Sequence, residues 1–141
     1  VSPKMVPEII RDKGFLSQPS SPVSPLDLGL ADQLRLALAA NRDRCVGLAA
    51  NMIGHTKQAM IISLAPGLDL VLFNPKILSQ SNPYETEEGC LSLDGVRPTT
   101  RFRKIRISYL DQHFQPQEMD LVDLPAQIFQ HEFDHFQGIL I

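Results

Sequence analysis

The sequence predicts an α+β fold in one domain spanning residues 1–141. Three observations predict it. Leucines recur at helical spacing at Leu30, Leu34 and Leu38, apolar runs of strand length fill the middle, and a second helical pattern closes the chain from Leu124 to Gln137. Helix, then several strands, then helix is the order of an α+β domain. The expected architecture is small mixed or antiparallel sheets packed around the C-terminal helix, plus the N-terminal helix.

Each element has a local reason. Residues 17–25, rich in Ser and Pro, read as extended, turn-forming chain. Ser24 is expected to cap the helix that follows, with Pro25 at its first position and Asp27 at the positive end of its dipole. Leu26, Ala31 and Ala37 widen the leucine stripe, and Asn41 is the expected stop. Ala59 to Leu64 and Leu68 to Phe73 are of strand length, with Asn74-Pro75 ending the second. Residues 104–110 alternate, Ile105, Ile107 and Tyr109 on one face and Lys104, Arg106 and Ser108 on the other. Residues 117–122 are expected to pair with them across the short connection from Gln112 to Pro116. Asp123 and Pro125 announce the last helix and Gly138 closes it.

Composition narrows the functional classes. With 43% apolar and 21% charged residues, the chain reads as globular rather than disordered. A net charge of −3 supplies no basic field for nucleic acid. No apolar run approaches the ~20 residues of a membrane span. Lys4, Glu8, Arg11 and Asp12 interrupt the N-terminal segment, which has no apolar stretch of a secretory signal. Two cysteines, Cys45 and Cys90, are too few for a disulfide scaffold. A cytoplasmic location with separate roles for the two thiols is expected.

The chemistry concentrates in the last helix. His131-Glu132-Phe133-Asp134-His135 fits H-E-x-x-H. Residues four apart share a helix face, about 5–6 Å apart at Cβ, so the two imidazoles suit adjacent corners of one metal site. Glu132 beside the first ligand can shuttle protons without binding the ion. The bland reading is a surface helix with solvated charges. Ile128, Phe129, Phe133 and Phe136 weigh against it, because a charged cluster on a buried apolar helix is costly unless paired or metal-bound. A third protein ligand is needed, with one corner left open. Cys90, His55, His113 and the carboxylates are candidates.

Three segments carry a family resemblance. Glu88-Gly89-Cys90-Leu91-Ser92 and the run from Gln130 to Gly138 resemble the second and third signature motifs of the peptide deformylases. The run from Gly47 to Gly54, Gly-Leu-Ala-Ala-Asn-Met-Ile-Gly, resembles the first, and all three occur in the family's order. The resemblance implies a divalent metal ion held by Cys90, His131 and His135, with Glu132 as general acid/base and the backbone N–H of Leu91 as an oxyanion donor. Fe²⁺ is the implied physiological ion, with Zn²⁺, Ni²⁺ or Co²⁺ able to replace it; the donor set accepts several of these. The implied reaction is hydrolysis of the N-formyl group from N-formylmethionyl peptides, the N-terminal processing of nascent proteins. Val46, Gly47 and Leu48 are expected to pair with the peptide like an added strand. Met52, Gly89 and Ile128 complete the expected substrate contacts, Ile128 lining the methionine pocket.

Two departures accompany the resemblance. Met52 stands where the family's first motif has glutamine, and a thioether cannot donate a hydrogen bond. Losing one oxyanion donor typically costs ~10²–10³ in rate. That opens an alternative reading, a weakened deformylase-like protein that binds metal and N-terminal peptides or a partner without efficient turnover. Asn51 offers an amide one position away. A general H-E-x-x-H peptidase is a third reading, opposed by the thiolate ligand and its motif. The chain also stops three residues after Gly138, short of many relatives, so ribosome association is not expected. Arg97 or Arg101 is a candidate partner for Glu88, and Asp134 a candidate to orient a ligand histidine. Cys45 is expected to be a small buried hydrophobe, and His55 and His113 ordinary surface or loop residues.

Overall fold

The computed structural model describes residues 7–43, 45–90 and 93–139, with backbone alone at 93 and 94. Three helices, α1 (Lys13–Leu16), α2 (Leu30–Ala40) and α3 (Leu124–His135), accompany five strands. The strands are β1 (Gly47–Ala49), β2 (Ala59–Ala65), β3 (Leu68–Cys90), β4 (Leu93–Leu110) and β5 (Pro116–Val122). They form one antiparallel sheet in sequence order, β1-β2-β3-β4-β5. The α+β class holds, and a single antiparallel sheet takes the place of several small ones.

The N-terminal helix begins later than its sequence signals. Ser24 and Asp27 cap each other's backbone within one 3-10 turn, Pro25–Asp27: Ser24 N–H donates to Asp27 Oδ2 at 3.0 Å and Leu26 N–H to Ser24 Oγ at 3.3 Å. The capping box is consumed there, and α2 restarts after Gly29 with no side-chain cap. Leu26 consequently lies outside the apolar stripe, almost fully exposed, whereas Leu30, Ala31, Leu34, Ala37 and Leu38 are buried. Asn41 does end the helix, its Nδ2 donating to the Ala37 carbonyl at 2.8 Å.

Asn74-Pro75 does not end a strand. The register shifts between Phe73 and Lys76, and Asn74 takes a positive φ of 49°. A bulge tolerates both a proline and a left-handed residue. Asn74 is fastened there by a two-way clamp on the Val23 backbone, accepting at 2.7 Å and donating at 3.0 Å. The strand then continues as one arm of a long hairpin with β4 and delivers Cys90 at its far end.

The core lies where α2 packs on β1 and β2, and α3 on β1, β2, β4 and β5. Phe73, Phe129, Leu34, Leu38, Ile61 and Ile105 are fully buried in it. Burying each such side chain is worth about 1.5–3 kcal/mol. The alternation in β4 holds, with Ile105 and Ile107 inside and paired to Leu121 and Met119 of β5. Asp123 precedes α3 without capping it through its side chain; it sits at φ 58° and its carbonyl accepts the Gln127 N–H at 2.9 Å. The helix ends at His135, and Gly138 closes the following turn at φ 74°.

Candidate metal centre

The end of β3 and the inward face of α3 bring Cys90, His131 and His135 together. Their donor atoms all lie within 4.8 Å of one another. Cys90 Sγ is 3.5 Å from His135 Nε2, which is 3.3 Å from His131 Nε2. A tetrahedral ion with bonds of about 2.3 Å to sulfur and 2.0–2.1 Å to nitrogen requires S···N edges of about 3.5 Å and N···N edges of about 3.3 Å. Both of these separations match those edges, and the donor types suit a divalent ion. The two rings meet edge-on at 75° rather than stacking, with their Nε2 atoms 3.3 Å apart.

Electrostatics around the rings are arranged for ligation. His135 is fully buried, and burial together with neighbouring charge at His131 pushes it down to about 3, leaving a neutral ring. Burial also pulls His131 down, but hydrogen bonds to Cys90 and Glu88 outweigh it and carry His131 up to about 10. Glu132 is pushed up to about 7 by burial. Its Oε1 lies 3.9 Å from His135 Nε2 and is a buried oxygen with no hydrogen-bond partner among the described residues.

A second ring of groups holds the candidate ligands. His131 Nδ1 donates to Glu88 Oε1 at 2.8 Å, which directs Nε2 at the centre. Glu88 also accepts from Arg101 Nε at 3.0 and 3.2 Å, from Arg101 Nη2 at 2.7 Å and from Gln127 Nε2 at 2.9 Å. Burial alone raises a carboxyl, but these bonds hold Glu88 down at about 2. Arg101 thus braces the Cys90 segment. Asp134 does not touch a ligand ring; it grips Arg101 Nη1 from the other side at 2.6 Å.

A cavity of about 660 Å³ opens onto the cluster. Of the expected substrate residues, Val46, Gly47, Met52, Gly89 and Ile128 line it. Leu48 is wholly buried in the core and leaves only its β1 backbone available. β1 is the edge of the sheet, so that backbone has one unpaired side. Met52 is nearly fully buried and its Sδ accepts the Ala49 N–H at 3.4 Å. Asn51 does not aim its amide into the cavity; Nδ2 donates to the His135 carbonyl at 3.1 Å. Leu91 lies outside the described residues. His55 and His113 are exposed.

Sequence reasoning missed several lining residues, Gln127, Arg11 and Cys45 among them. Gln127 precedes His131 by four positions on α3, a spacing that could have revealed it. Arg11, beyond any motif, had no such signal. Cys45 is half-buried and lines the cavity, so it is not simply a core hydrophobe.

Comparison with known proteins gives a consistent family. The family model for polypeptide deformylase matches residues 8–141. The peptide deformylase of Clostridium beijerinckii is 44% identical over 137 residues, covering 97% of this chain and all of that protein. That of Aquifex aeolicus is 36% identical over 138 residues, 93% of this chain and 82% of its own. A peptide deformylase structure from Legionella pneumophila superposes with a TM-score of 0.87 at 31% identity, over 96% of this chain and 83% of that one. The actinonin-bound class I type b enzyme from Acinetobacter baumannii gives 0.86 at 29% identity, over 97% and 96%.

Proposed function

This chain belongs to the peptide deformylase family, and we propose that it hydrolyses the N-formyl group of N-formylmethionyl peptides at one divalent ion held by Cys90, His131 and His135. Its activity is that of a metal-dependent amide hydrolase. The observation that supports the site assignment is the convergence of one sulfur and two Nε2 atoms at tetrahedral spacing beside a buried carboxylate.

The ion, when bound, polarises the formyl carbonyl and lowers the pKa of a water towards ~7. Glu132 takes a proton from the attacking water and returns it to the amide nitrogen as the C–N bond breaks, giving formate and a free α-amine. Burial keeps its affinity for that proton high enough for both transfers. The open side of β1 at residues 46–48 pairs with the peptide backbone. Val46, Met52 and Ile128 offer the methionine side chain an apolar wall. Gly47 leaves room for that packing, since a Cβ there would lie 2.7 Å from Ile128 Cγ2 and 3.2 Å from Glu132 Oε2. The Leu91 N–H is assigned to the oxyanion by resemblance.

Fe²⁺ is the proposed ion, with Zn²⁺, Ni²⁺ or Co²⁺ as substitutes, and the reducing cytoplasm the proposed setting because a thiolate ligand oxidises readily. No helix among the described residues is long and apolar enough to cross a membrane. The test is anaerobic formate release from a formylmethionyl peptide by Fe²⁺-, Ni²⁺- and Zn²⁺-loaded protein. Turnover lost in Glu132→Ala at unchanged metal content supports the reading. No turnover with a filled site contradicts it.

A further inference from the structure

The two ligand histidines are supported unequally. His131 Nδ1 has Glu88, but His135 Nδ1 is buried with no hydrogen-bond partner among the described residues. This inference rests on the assignment of Cys90, His131 and His135 as ligands. His135 Nε2 faces the sulfur and the other ring, so its lone pair belongs to the ion and the ring proton sits on Nδ1. A buried donor of that kind needs an acceptor.

Among the described residues, the other buried side-chain atoms without partners are Ser20 Oγ, Asn51 Oδ1 and Glu132 Oε1. Glu132 Oε1 lies towards the Nε2 edge of the ring, 3.9 Å away, and is on the wrong side. Asn51 is fully buried and already docked on His135, Nδ2 donating to its carbonyl at 3.1 Å. A carbonyl only accepts, so the orientation of the amide is fixed and Oδ1 is the free end. One residue thus holds an unused acceptor beside a ligand that holds an unused donor.

We propose that Asn51 is a positioning residue for the metal centre: Oδ1 accepts the His135 Nδ1 proton through one bridging water, while Nδ2 anchors the helix end at the His135 carbonyl. The first-motif segment, Ala50–Ile53, then sets the tautomer and tilt of a ligand on a different element. The position one residue before Met52 is chosen for the ion rather than for the oxyanion.

The experiment loads the full metal-free chain with Co²⁺ and follows its visible bands and its dissociation constant by chelator competition. Asn51→Leu removes both bonds at similar volume and is expected to weaken Co²⁺ binding by about 10–100-fold and to shift the ligand-field bands while the thiolate charge-transfer band persists. Asn51→Asp keeps the acceptor and is expected to hold Co²⁺ as the wild type does, even where thermal stability falls. Ser20→Ala is expected to leave both readouts unchanged. Wild-type binding in Asn51→Leu, equal losses in the Leu and Asp variants, or a shift produced by Ser20→Ala instead would each overturn the proposal. Should Asn51→Leu fail to fold, ¹⁵N-histidine NMR of the Zn²⁺-loaded wild type decides. A slowly exchanging His135 Nδ1 proton with a nuclear Overhauser contact to Asn51 is expected, and a fast-exchanging one without it overturns the proposal. A wild-type Co²⁺ spectrum with no thiolate band would overturn the ligand set itself, and this inference with it.

Discussion

Arg101 grips Glu88 with two guanidinium nitrogens, at 2.7 to 3.2 Å, in a pair almost wholly withdrawn from water. Glu88 in turn holds the ring of His131. Removing one partner of a buried ion pair strands the other charge and typically costs about 3–5 kcal/mol. Arg101→Leu is expected to lose stability on that scale in urea unfolding and to weaken metal retention. Arg101→Lys is expected to rescue little, because an ammonium cannot reproduce the fork. Wild-type stability in Arg101→Leu would show that the pair does not hold this segment.

Gly47→Ala tests how closely the β1 edge is fitted to Glu132, the proposed acid/base. The added methyl would press on Ile128 and Glu132 at 2.7 and 3.2 Å. Displacing a reacting group by about 1 Å can cost on the order of 10²-fold. A fall in kcat/KM of that order, with metal content retained, is expected from steady-state formate release. An unaltered kcat/KM would mean that the neighbours yield without moving Glu132.

Met52→Gln replaces a buried sulfur lining the cavity with an amide. An added oxyanion donor is worth up to about 10²-fold in kcat, and a rise in that direction is expected with KM little changed. An unchanged rate would show that oxyanion support in this chain does not run through this position.

Helix α2, the β4 alternation and the H-E-x-x-H helix were legible because each is a local pattern: a leucine repeat, an inside–outside alternation, a proline start and a glycine stop. The long β3 was not. Its second half, from Ser79 to Glu87, is almost entirely exposed polar chain with no apolar rhythm, and its regularity comes only from pairing with β4. The choice of Arg101 over Arg97 was hidden for a related reason. Arg97 is the residue opposite Glu88 in the ladder, and Arg101 lies opposite Tyr84, yet the latter makes the ion pair because Asp134 on α3 draws it there. The grouping of Cys90, His131 and His135 was legible through their motifs; the docking of Asn51 on His135, 84 positions apart, had no sequence signal.

Two glycines with left-handed backbones separate conformation from crowding. Gly54 has φ 94° and open space around a notional Cβ; Gly138 has φ 74° and would place one 2.1 Å from the Ser17 carbonyl oxygen. Gly54→Ala is expected to cost about 1 kcal/mol, the penalty of the backbone region alone. Gly138→Ala is expected to cost clearly more, because Ser17 and the turn after α3 must separate. Equal losses in denaturant melts would contradict the crowding.

X-ray absorption on the metal-loaded protein asks most directly whether residue 90 and the two rings share an ion. The expected first shell has one sulfur at about 2.3 Å and two imidazole nitrogens at about 2.0–2.1 Å, with the sulfur lost in Cys90→Ala. A wild-type shell of nitrogen and oxygen alone would contradict it.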